Sequence, residues 1–190
     1  LNYHLALGEG DQARLHFYLA ADPERVAAVT VPELEDTVAT LIRTWADRVQ
    51  EGLELSMPSD EATRLADHYG EAFSREYQAA PPPEVAATDI AELEAMSAGN
   101  RVVSIALTNR DDKTPVVGVS GATELKLFLR QTRLVLSDFM PILENAGLRV
   151  IAMKPYEVGR NGAPEATIYV FAVQDSAGQP LNVEKRGDLL

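Results

Sequence analysis

The spacing of apolar residues divides the chain into a helical part and a strand-rich part. Between residues 30 and 98 apolar side chains recur every three or four positions, which is typical of helices with one buried face. After Asn100 the period shortens to two, which indicates strands. The apolar run Ala13–Ala21 also predicts a strand, which Asp22-Pro23 ends. We therefore expect a leading strand segment over 1–29, a helical segment over 30–98 and an α/β unit over 99–190.

Three helices are expected in the helical segment. Thr30 and Glu33 match a capping box and begin the first helix. Ser59 is expected to cap the second, and Pro81-Pro82-Pro83 separates it from a short third helix that Gly99 ends. The predicted buried stripes are Leu34, Val38, Leu41, Ile42, Trp45, Val49 and Leu53 in the first helix, Ala62, Leu65, Ala66, Tyr69, Phe73 and Tyr77 in the second, and Ile90, Leu93 and Met96 in the third.

The second half of the chain predicts the order β-β-α-β-β. Its expected elements are strands over 101–110, 124–131, 148–158 and 166–174, and a helix from Ser137, as N-cap, to Ala146. The strand near residue 15 and the preceding helices extend this order to β-α-β-β-α-β plus one strand. That is the order of a ferredoxin-like sandwich, in the α+β class.

The strand over 124–131 alternates strictly between apolar and mixed positions. Leu125, Leu127 and Leu129 are expected to point inward, toward the helices. The other face carries Lys126, Phe128 and Arg130 and is expected to be exposed or paired with another copy of the chain.

Composition narrows the possible classes of protein. The chain has 190 residues, no Cys and a net charge of −12, and the acidic excess lies entirely in residues 1–100. The lack of Cys excludes disulfides and Cys-ligated metals and suits a reducing, cytoplasmic location. No apolar run reaches the ~20 residues of a membrane span, and no signal peptide is visible. The acidic balance argues against nonspecific nucleic-acid binding.

The sequence shows no catalytic constellation. His4, His16 and His68 are far apart, and none has a partner at metal-ligand spacing. No glycine-rich phosphate loop and no nucleophile-elbow motif occurs, and the paired acidic residues fall where helix starts or surfaces explain them. We therefore expect no catalytic residue, no cofactor and no metal in this chain.

One group of basic residues could hold a small anion. These residues flank the helix that begins near Ser137, whose free N–H groups favour negative charge. An amino-acid carboxylate at this strand-to-helix turn is one interpretation, and protection of an exposed sheet face is the other. The group consists of Lys126, Arg130, Arg133, Arg149 and Lys154.

The run LSDFMPILENAGLRVIAMKPYEV at 136–158 resembles a stretch of the large bacterial NAD-specific glutamate dehydrogenases. Further similarity follows in the same order as in that family, at 13–20 (ARLHFYLA), 41–49 (LIRTWADRV), 68–79 (HYGEAFSREYQA), 89–96 (DIAELEAM) and 124–131 (ELKLFLRQ). The resemblance implies a fragment of a much longer chain. This fragment would be an ACT-type β-α-β-β regulatory unit with a preceding or inserted helical segment. A fourth strand would come from residues 13–21, or the unit would be incomplete.

The same resemblance implies a parent enzyme that converts L-glutamate and NAD to 2-oxoglutarate, ammonia and NADH. NAD would bind elsewhere in that parent, and this segment would carry no catalytic site. The segment would contact the rest of the parent chain, form a homo-oligomer and bind an amino-acid effector, but neither nucleic acid nor membrane. The implied effector residues are Arg133, Leu136, Ser137, Asp138 and Arg149.

Other functions remain open at this point. The turn over 132–138 lacks the glycine of many ligand-binding ACT domains, which favours a purely architectural oligomerisation role. A stand-alone amino-acid sensor is a further alternative. A self-standing enzyme lacks the residues it would need, and a nucleic-acid binder would have only Phe128 as an outward-facing aromatic among basic residues.

Overall fold

The computed structural model describes residues 2–7, 13–18, 30–109, 114–160 and 163–181. The chain divides into two units, Leu1–Arg43 and Thr44–Leu190. The first contains β1 (Asn2–Leu7), β2 (Ala13–Tyr18) and α1 (Val31–Ile42). The second contains α2 (Trp45–Glu54), α3 (Ser59–Ala72), α4 (Arg75–Gln78), α5 (Pro83–Ala98), β3 (Val103–Thr108), β4 (Thr123–Arg130), α6 (Leu136–Asn145), β5 (Arg149–Arg160) and β6 (Ala163–Gln174).

The first unit contains an antiparallel strand pair. β1 pairs with β2 from Asn2 opposite Tyr18 to Leu7 opposite Ala13. The predicted strand is therefore confirmed over Ala13–Tyr18, while residues 19–23 lie outside the described part of the chain. β1 is absent from the predicted elements, although the residues of NYHLAL alternate in the period of two that strands show.

The predicted first helix is in fact two helices. The Thr30–Glu33 capping box is confirmed at the start of α1. A second capping box begins α2, in which Asp47 N donates to Thr44 Oγ1 at 3.2 Å and Thr44 N donates to Asp47 Oδ2 at 2.7 Å. The expectation of one continuous buried stripe is wrong because the chain leaves the helix at Arg43. Trp45, Val49 and Leu53 are buried, whereas Leu34, Val38, Leu41 and Ile42 are exposed.

The second helix begins one residue earlier than predicted. Pro58 occupies the N-cap position, so Ser59 is the first helical residue and caps nothing. The Ser59 hydroxyl instead donates to Glu54 Oε1 at 2.6 Å. The buried stripe is confirmed, but the helix stops at Ala72, and Ser74 caps the short α4.

The third helix, α5, is longer than expected. It runs for 16 residues from Pro83, and Gly99 is its C-cap, as predicted. Its predicted stripe is buried. α5 packs closely on α2, since a Cβ added at Gly52 would lie only 2.9 Å from Ala87 Cβ. Glycine at this position therefore allows the two helices to approach.

The second unit contains a four-stranded antiparallel sheet in the order β3-β4-β6-β5. The predicted β-α-β-β run is present as β4-α6-β5-β6, and the α+β class is confirmed. The fourth strand is β3, which precedes β4 in the chain and pairs with it. The expectation that residues 13–21 supply the fourth strand is wrong, because Ala13–Tyr18 pairs with β1 and the outer place beside β4 is filled by β3.

Helices cover both faces of this sheet. α6 packs against Leu125, Leu127 and Leu129, as predicted. The opposite face is covered by helices α2–α5 of the second unit. The prediction that Lys126, Phe128 and Arg130 lie on an exposed or self-paired face is therefore wrong, and Phe128 is only 1% exposed. Phe128 is therefore too buried to act as a platform on which nucleic-acid bases stack.

An aromatic cluster joins the helices to β5. The rings of Phe73 and Tyr77 stack with centroids 4.0 Å apart, and Tyr77 meets Tyr156 edge-on at 5.2 Å. Phe73 also forms an isolated antiparallel bridge with Val158. Ring contacts of this kind add specific geometry to the area they bury.

The segment after β6 is tied back to the sheet. Leu181 N donates to Thr123 Oγ1 at 2.8 Å, and the Thr123 hydroxyl donates to Asn109 Oδ1 at 2.7 Å. The Asn109 amide closes the ring by donating to Leu181 O at 2.8 Å. Leu181 itself packs in the cluster beneath α6.

Phe128→Ala tests which face of the sheet is buried. Removing this side chain from a packed interface leaves a cavity, and we expect a loss of about 3–5 kcal/mol in the free energy of unfolding, measured with urea. Ile105→Ala, at the exposed outer strand, serves as the control and should cost much less. A Phe128 variant as stable as the control would contradict the packing described.

Candidate functional site

A cluster of charged side chains is buried between helices α4 and α5 and the sheet. Lys126 Nζ of β4 lies 2.6 Å from Asp89 Oδ1 and 2.7 Å from Asp89 Oδ2 of α5. The Tyr77 hydroxyl donates to Asp89 Oδ2 at 2.6 Å. Glu124 Oε1 lies 3.6 Å from Lys126 Nζ, which is an ion pair longer than a hydrogen bond. Asp89 is 2% exposed, Glu124 3% and Lys126 7%.

The local sequence places these side chains in the interface. Asp89 lies on the buried side of α5 together with Ala86 and Leu93, three residues before it and four after it. Lys126 shares a face of β4 with Phe128, since side chains alternate along a strand. Both charged residues therefore stand on apolar faces, and their pairing compensates for the cost of leaving water.

Burial governs the electrostatics of the cluster. It raises the pKa of Asp89 above its usual value, while the Lys126 ammonium and the Tyr77 hydroxyl oppose that rise. Burial, together with the charge of Asp89, raises the pKa of Tyr77 well above its usual value. Tyr77 is therefore a neutral hydrogen-bond donor, and Asp89 depends on Lys126 to hold its charge.

A cavity of about 340 Å³ opens beside the cluster. Its floor is one row of the sheet, because Val170 of β6 pairs with Lys126 of β4 on one side and with Lys154 of β5 on the other. Two strand spacings of ~4.8 Å separate the two lysine backbones by roughly 10 Å. The remaining lining residues are Tyr77, Ala80, Pro81, Asp89, Pro115, Val117, Gly118, Glu124 and Tyr156.

Lys154 lies at the outer side of this cavity. Its Nζ is 2.9 Å from Glu76 Oε1, and the Glu76 side chain is 67% exposed. The same ammonium lies 5.3 Å from the centroid of the Tyr156 ring. Hydrogen bonding to Glu76 raises the pKa of Lys154, so this group is positively charged at neutral pH.

A tight turn forms another wall of the cavity. Val116 and Val119 exchange backbone hydrogen bonds of 2.9 Å, and Val117 and Gly118 between them have φ angles of 49° and 78°. A β-branched residue with positive φ is strained. Val117 compensates by packing against the buried core.

The structure separates the residues of the predicted effector site. Arg133 and Leu136 line a larger cavity of about 930 Å³, whose lining also includes Ser74, Glu76 and Tyr156 from the other face of the sheet. Ser137 is not the N-cap of α6 as predicted, because Val135 takes that position and no side chain caps the helix. The Ser137 hydroxyl donates to Asp138 Oδ1 at 3.3 Å, and Asp138 N is already bonded to Val135 O.

The other basic residues of the predicted anion site do not join this turn. Arg149 follows the C-terminal end of α6, about 15 Å along a helix of this length from the turn. Lys126 and Lys154 lie on the opposite face of the sheet from α6, and Arg130 donates to Met96 O at 3.2 Å. The predicted grouping of five basic residues is therefore wrong.

Sequence reasoning missed the buried cluster, although a signal was available. Asp89 falls among the apolar positions of α5, and Lys126 falls between leucines in a strand whose two faces are both covered. An acid on one apolar face and a base on another suggest a buried pair. The pairing itself depends on how α5 crosses β4, which the sequence does not reveal.

Two features are absent from the part of the chain that the structure describes. This part contains no group of three or more His, Asp or Glu side chains arranged to hold a metal ion. None of its helices is both long and apolar enough to cross a membrane.

Three family models match the chain in consecutive segments. The glutamate dehydrogenase ACT2 domain matches residues 1–46, the glutamate dehydrogenase helical motif 2 matches 53–96, and the glutamate dehydrogenase ACT3 domain matches 108–186. Asp89 thus lies in the helical-motif segment and Lys126 in the ACT3 segment. The buried cluster joins two of the matched modules.

Curated relatives carry the name NAD-specific glutamate dehydrogenase. The protein of Pseudomonas aeruginosa is 26% identical over 94% of this chain, and that of Halomonas elongata is 26% identical over all of it. The protein of Mycobacterium tuberculosis is 25% identical over 95% of the chain. The chain spans only 11% of the length of each of these relatives.

Lys126→Met tests the buried ion pair. This change leaves Asp89 in the interface without its cation, and removing one partner of a buried pair costs about 3–5 kcal/mol. Urea unfolding measures the change, and the double variant Lys126→Met with Asp89→Leu should recover much of the loss. If Lys126→Met were as stable as the unmodified 190-residue chain, the pair would contribute little to the free energy of unfolding.

The pH dependence of the same variant provides an independent check. Without Lys126, burial raises the folded-state pKa of Asp89 further above its unfolded value, so folding favours the protonated acid. The stability deficit of Lys126→Met should therefore shrink as the pH is lowered through that raised pKa and should be largest at neutral pH. Unfolding at a series of pH values measures this, and a deficit that grows on acidification would contradict it.

Proposed function

Because the chain belongs to the glutamate dehydrogenase family, as a segment made of its ACT2, helical motif 2 and ACT3 parts, we propose that it is a noncatalytic regulatory and assembly module. This proposal rests on the Lys126–Asp89 ion pair, which connects the helical motif to the ACT3 sheet. Joined modules of this kind can transmit a shift in one part to the other, since packed interfaces switch between discrete arrangements.

The parent reaction is part of the proposal. The parent converts L-glutamate and NAD to 2-oxoglutarate, ammonia and NADH, as the names of the relatives suggest. NAD binding and catalysis belong to other parts of that parent. Within this segment Asp89, Lys126 and Tyr77 bond one another, which suits a structural role better than proton transfer to a substrate.

The organisation and surroundings of the segment follow from the same proposal. We assign a leading strand segment to 1–29, a helical segment to 30–98 and the ACT-like unit to 99–190. Its partners are the rest of the parent chain and further copies in a homo-oligomer, in the cytoplasm. The exposed apolar residues of β3, Val103 and Ile105, suit contact with another protein surface.

Amino-acid sensing at the turn before α6 is a second candidate function. The cavity lined by Arg133 and Leu136 favours it, because a guanidinium can bind a carboxylate. Ser137 and Asp138 would complete that site. Asp138→Lys should abolish amino-acid binding there without unfolding the chain, and unchanged affinity measured by calorimetry would reject the site.

The assignment to a noncatalytic role predicts three results. The chain alone, given glutamate and NAD, should form no NADH by absorbance. In the full-length parent Lys126→Met should leave the KM values for glutamate and NAD unchanged, because the pair touches neither substrate. It should lower the temperature at which the assembly dissociates, followed by native mass.

Two results would contradict this role. The first is NADH formation by the chain alone. The second is a large change in either KM while assembly and thermal stability stay unchanged.

A further inference from the structure

The segment that follows β6 is anchored to the sheet by a single buried side chain. Residues 175–181 leave the end of β6, and the side chains at positions 176, 177, 179 and 180 are exposed. Leu181, by contrast, is 3% exposed and lies in the buried cluster on the α6 face of the sheet. We propose that residues 175–181 form a latch, which undocks while the sheet stays folded, and that docking of Leu181 keeps α6 in place.

A ring of hydrogen bonds marks the docking point. Leu181 N donates to Thr123 Oγ1 and Asn109 Nδ2 donates to Leu181 O, both at 2.8 Å, and the Thr123 hydroxyl donates to Asn109 Oδ1 at 2.7 Å. Asn109 directly follows β3 and Thr123 begins β4. Undocking therefore breaks the two hydrogen bonds of Leu181 at a point where two strands end, and it exposes one large apolar side chain.

The latch is organised by bonds of its own. Asp175 Oδ1 accepts from Ala177 N at 2.9 Å and from Gln179 N at 2.8 Å. Asp175 N donates to Gln179 O at 2.8 Å, and Gly178 N donates to Asp175 O at 3.0 Å. Gly178 has a φ of 77°, which glycine adopts without strain. None of these bonds involves the sheet, so the loop can leave it as a preformed unit.

The docked and undocked states of the latch are close in free energy. Burial of one leucine and two hydrogen bonds favour the docked state. Docking also orders the backbone between Asp175 and Leu181, and every ordered residue costs conformational entropy of comparable size. The bonds of Asp175 offset part of that cost. Undocking therefore requires much less free energy than unfolding of the sheet, as is typical of local opening.

α6 depends on the same buried cluster as the latch. Leu143 is the one residue of α6 that is fully buried, and it shares this cluster with Leu148 and Leu181. Leu148 N donates to Leu143 O at 2.9 Å, which connects the C-terminal end of α6 to Leu148. With so little of α6 buried, loss of one leucine from the cluster weakens the hold on the whole helix.

The strand register places the docking point at this end of α6. Thr123, which binds Leu181, lies opposite Val173 of β6. The next residue of β6, Gln174, lies opposite Arg149, which directly follows Leu148. The C-terminal end of α6 and the docked latch therefore lie at the same end of the sheet.

The latch gives the parent a route to α6, and this consequence rests on the proposed function. A displacement of the residues that follow Leu181 pulls on the latch and releases α6. Elements with two discrete arrangements transmit displacements in this way. The route lies on the α6 face of the sheet, whereas the Lys126–Asp89 pair lies on the opposite face.

Thiol labelling of Leu181→Cys tests whether the latch undocks alone. The chain has no Cys, so the new thiol is the only one. Val173→Cys, at a 0% exposed position of the same cluster, is the matched control. We expect the thiol at position 181 to react with an aromatic disulfide reagent at least about tenfold faster than the control. Its rate should change little at low urea, because undocking exposes little surface.

Equal labelling rates with the same urea dependence would show that Leu181 is released only when the sheet unfolds, and would overturn the proposal. Circular dichroism verifies that both variants fold. If Val173→Cys does not fold, Ala172→Cys at another 0% exposed position replaces it as the control.

Substitutions of Asp175 test whether the latch docks as a unit. In the Leu181→Cys background, Asp175→Ala removes the acceptor of two N–H groups, whereas Asp175→Asn keeps an acceptor oxygen. We expect labelling about tenfold faster with Asp175→Ala and within about twofold of the unsubstituted background with Asp175→Asn. Asp175 lies outside the buried cluster. An unchanged rate in Asp175→Ala would therefore overturn docking as a preformed unit.

Leu181→Asp tests the coupling to α6. The new carboxylate keeps the latch undocked, because burial of an unpaired charge is costly. We expect NMR order parameters of residues 142–146 to fall from about 0.85 to below about 0.6, while those of α5 and β6 stay unchanged. Leu55→Asp, at an 87% exposed position, is the control and should leave all three elements ordered. Leu181→Ala is the milder variant if Leu181→Asp does not fold.

Two results would overturn this coupling. One is an α6 that stays ordered in the folded Leu181→Asp chain. The other is an equal loss of order in α5, α6 and β6, which would indicate general unfolding. Because each experiment uses the 190-residue chain alone, failure here would leave the regulatory role to be judged by its own test.

Discussion

The bonding of Lys126 to Asp89 constrains the rest of the second unit. The pair is buried, so each charge requires the other in a fixed geometry. That geometry sets α5 against β4. It also fixes the register of β4, because a slip of one residue would carry Lys126 to the α6 face and leave Asp89 uncompensated. The aromatic contact between Tyr77 and Tyr156 lies beside the pair and holds α4 to β5.

The cavity of the candidate site results from this constraint. Lys126 and Lys154 occupy one row of the sheet with Val170 between them, and each is drawn toward an acid of the helical segment. The gap between them becomes a cavity with charge of both signs. One of the two ion pairs beside this cavity is buried, and the other includes the largely exposed Glu76. Such an arrangement suits regulation better than chemistry, since its groups are engaged with one another.

The sequence predicted local structure well and tertiary placement poorly. The Thr30–Glu33 capping box, the stripe from Ala62 to Tyr77 and the alternation over 124–131 all correspond to structure, because each depends on neighbours in the chain. The face of β4 that bears Lys126, Phe128 and Arg130 was expected to be exposed, because its two basic residues outweighed the aromatic residue between them. Only the packing of α5 across the sheet shows that a distant Asp89 compensates the charge of Lys126. The prediction that Arg149 joins the turn before α6 was wrong for the same reason, because the length of α6 separates two positions that lie close in sequence.

The most direct test of this description is native-state hydrogen exchange across α5, β4 and β6. If the buried pair joins helices and sheet into one cooperative unit, the slowest amides of α5 should open with the same free energy as those of β4 and β6. Lys126→Met should lower all three together. Opening of α5 at a much lower free energy than the sheet, unchanged in that variant, would contradict the central role of the pair.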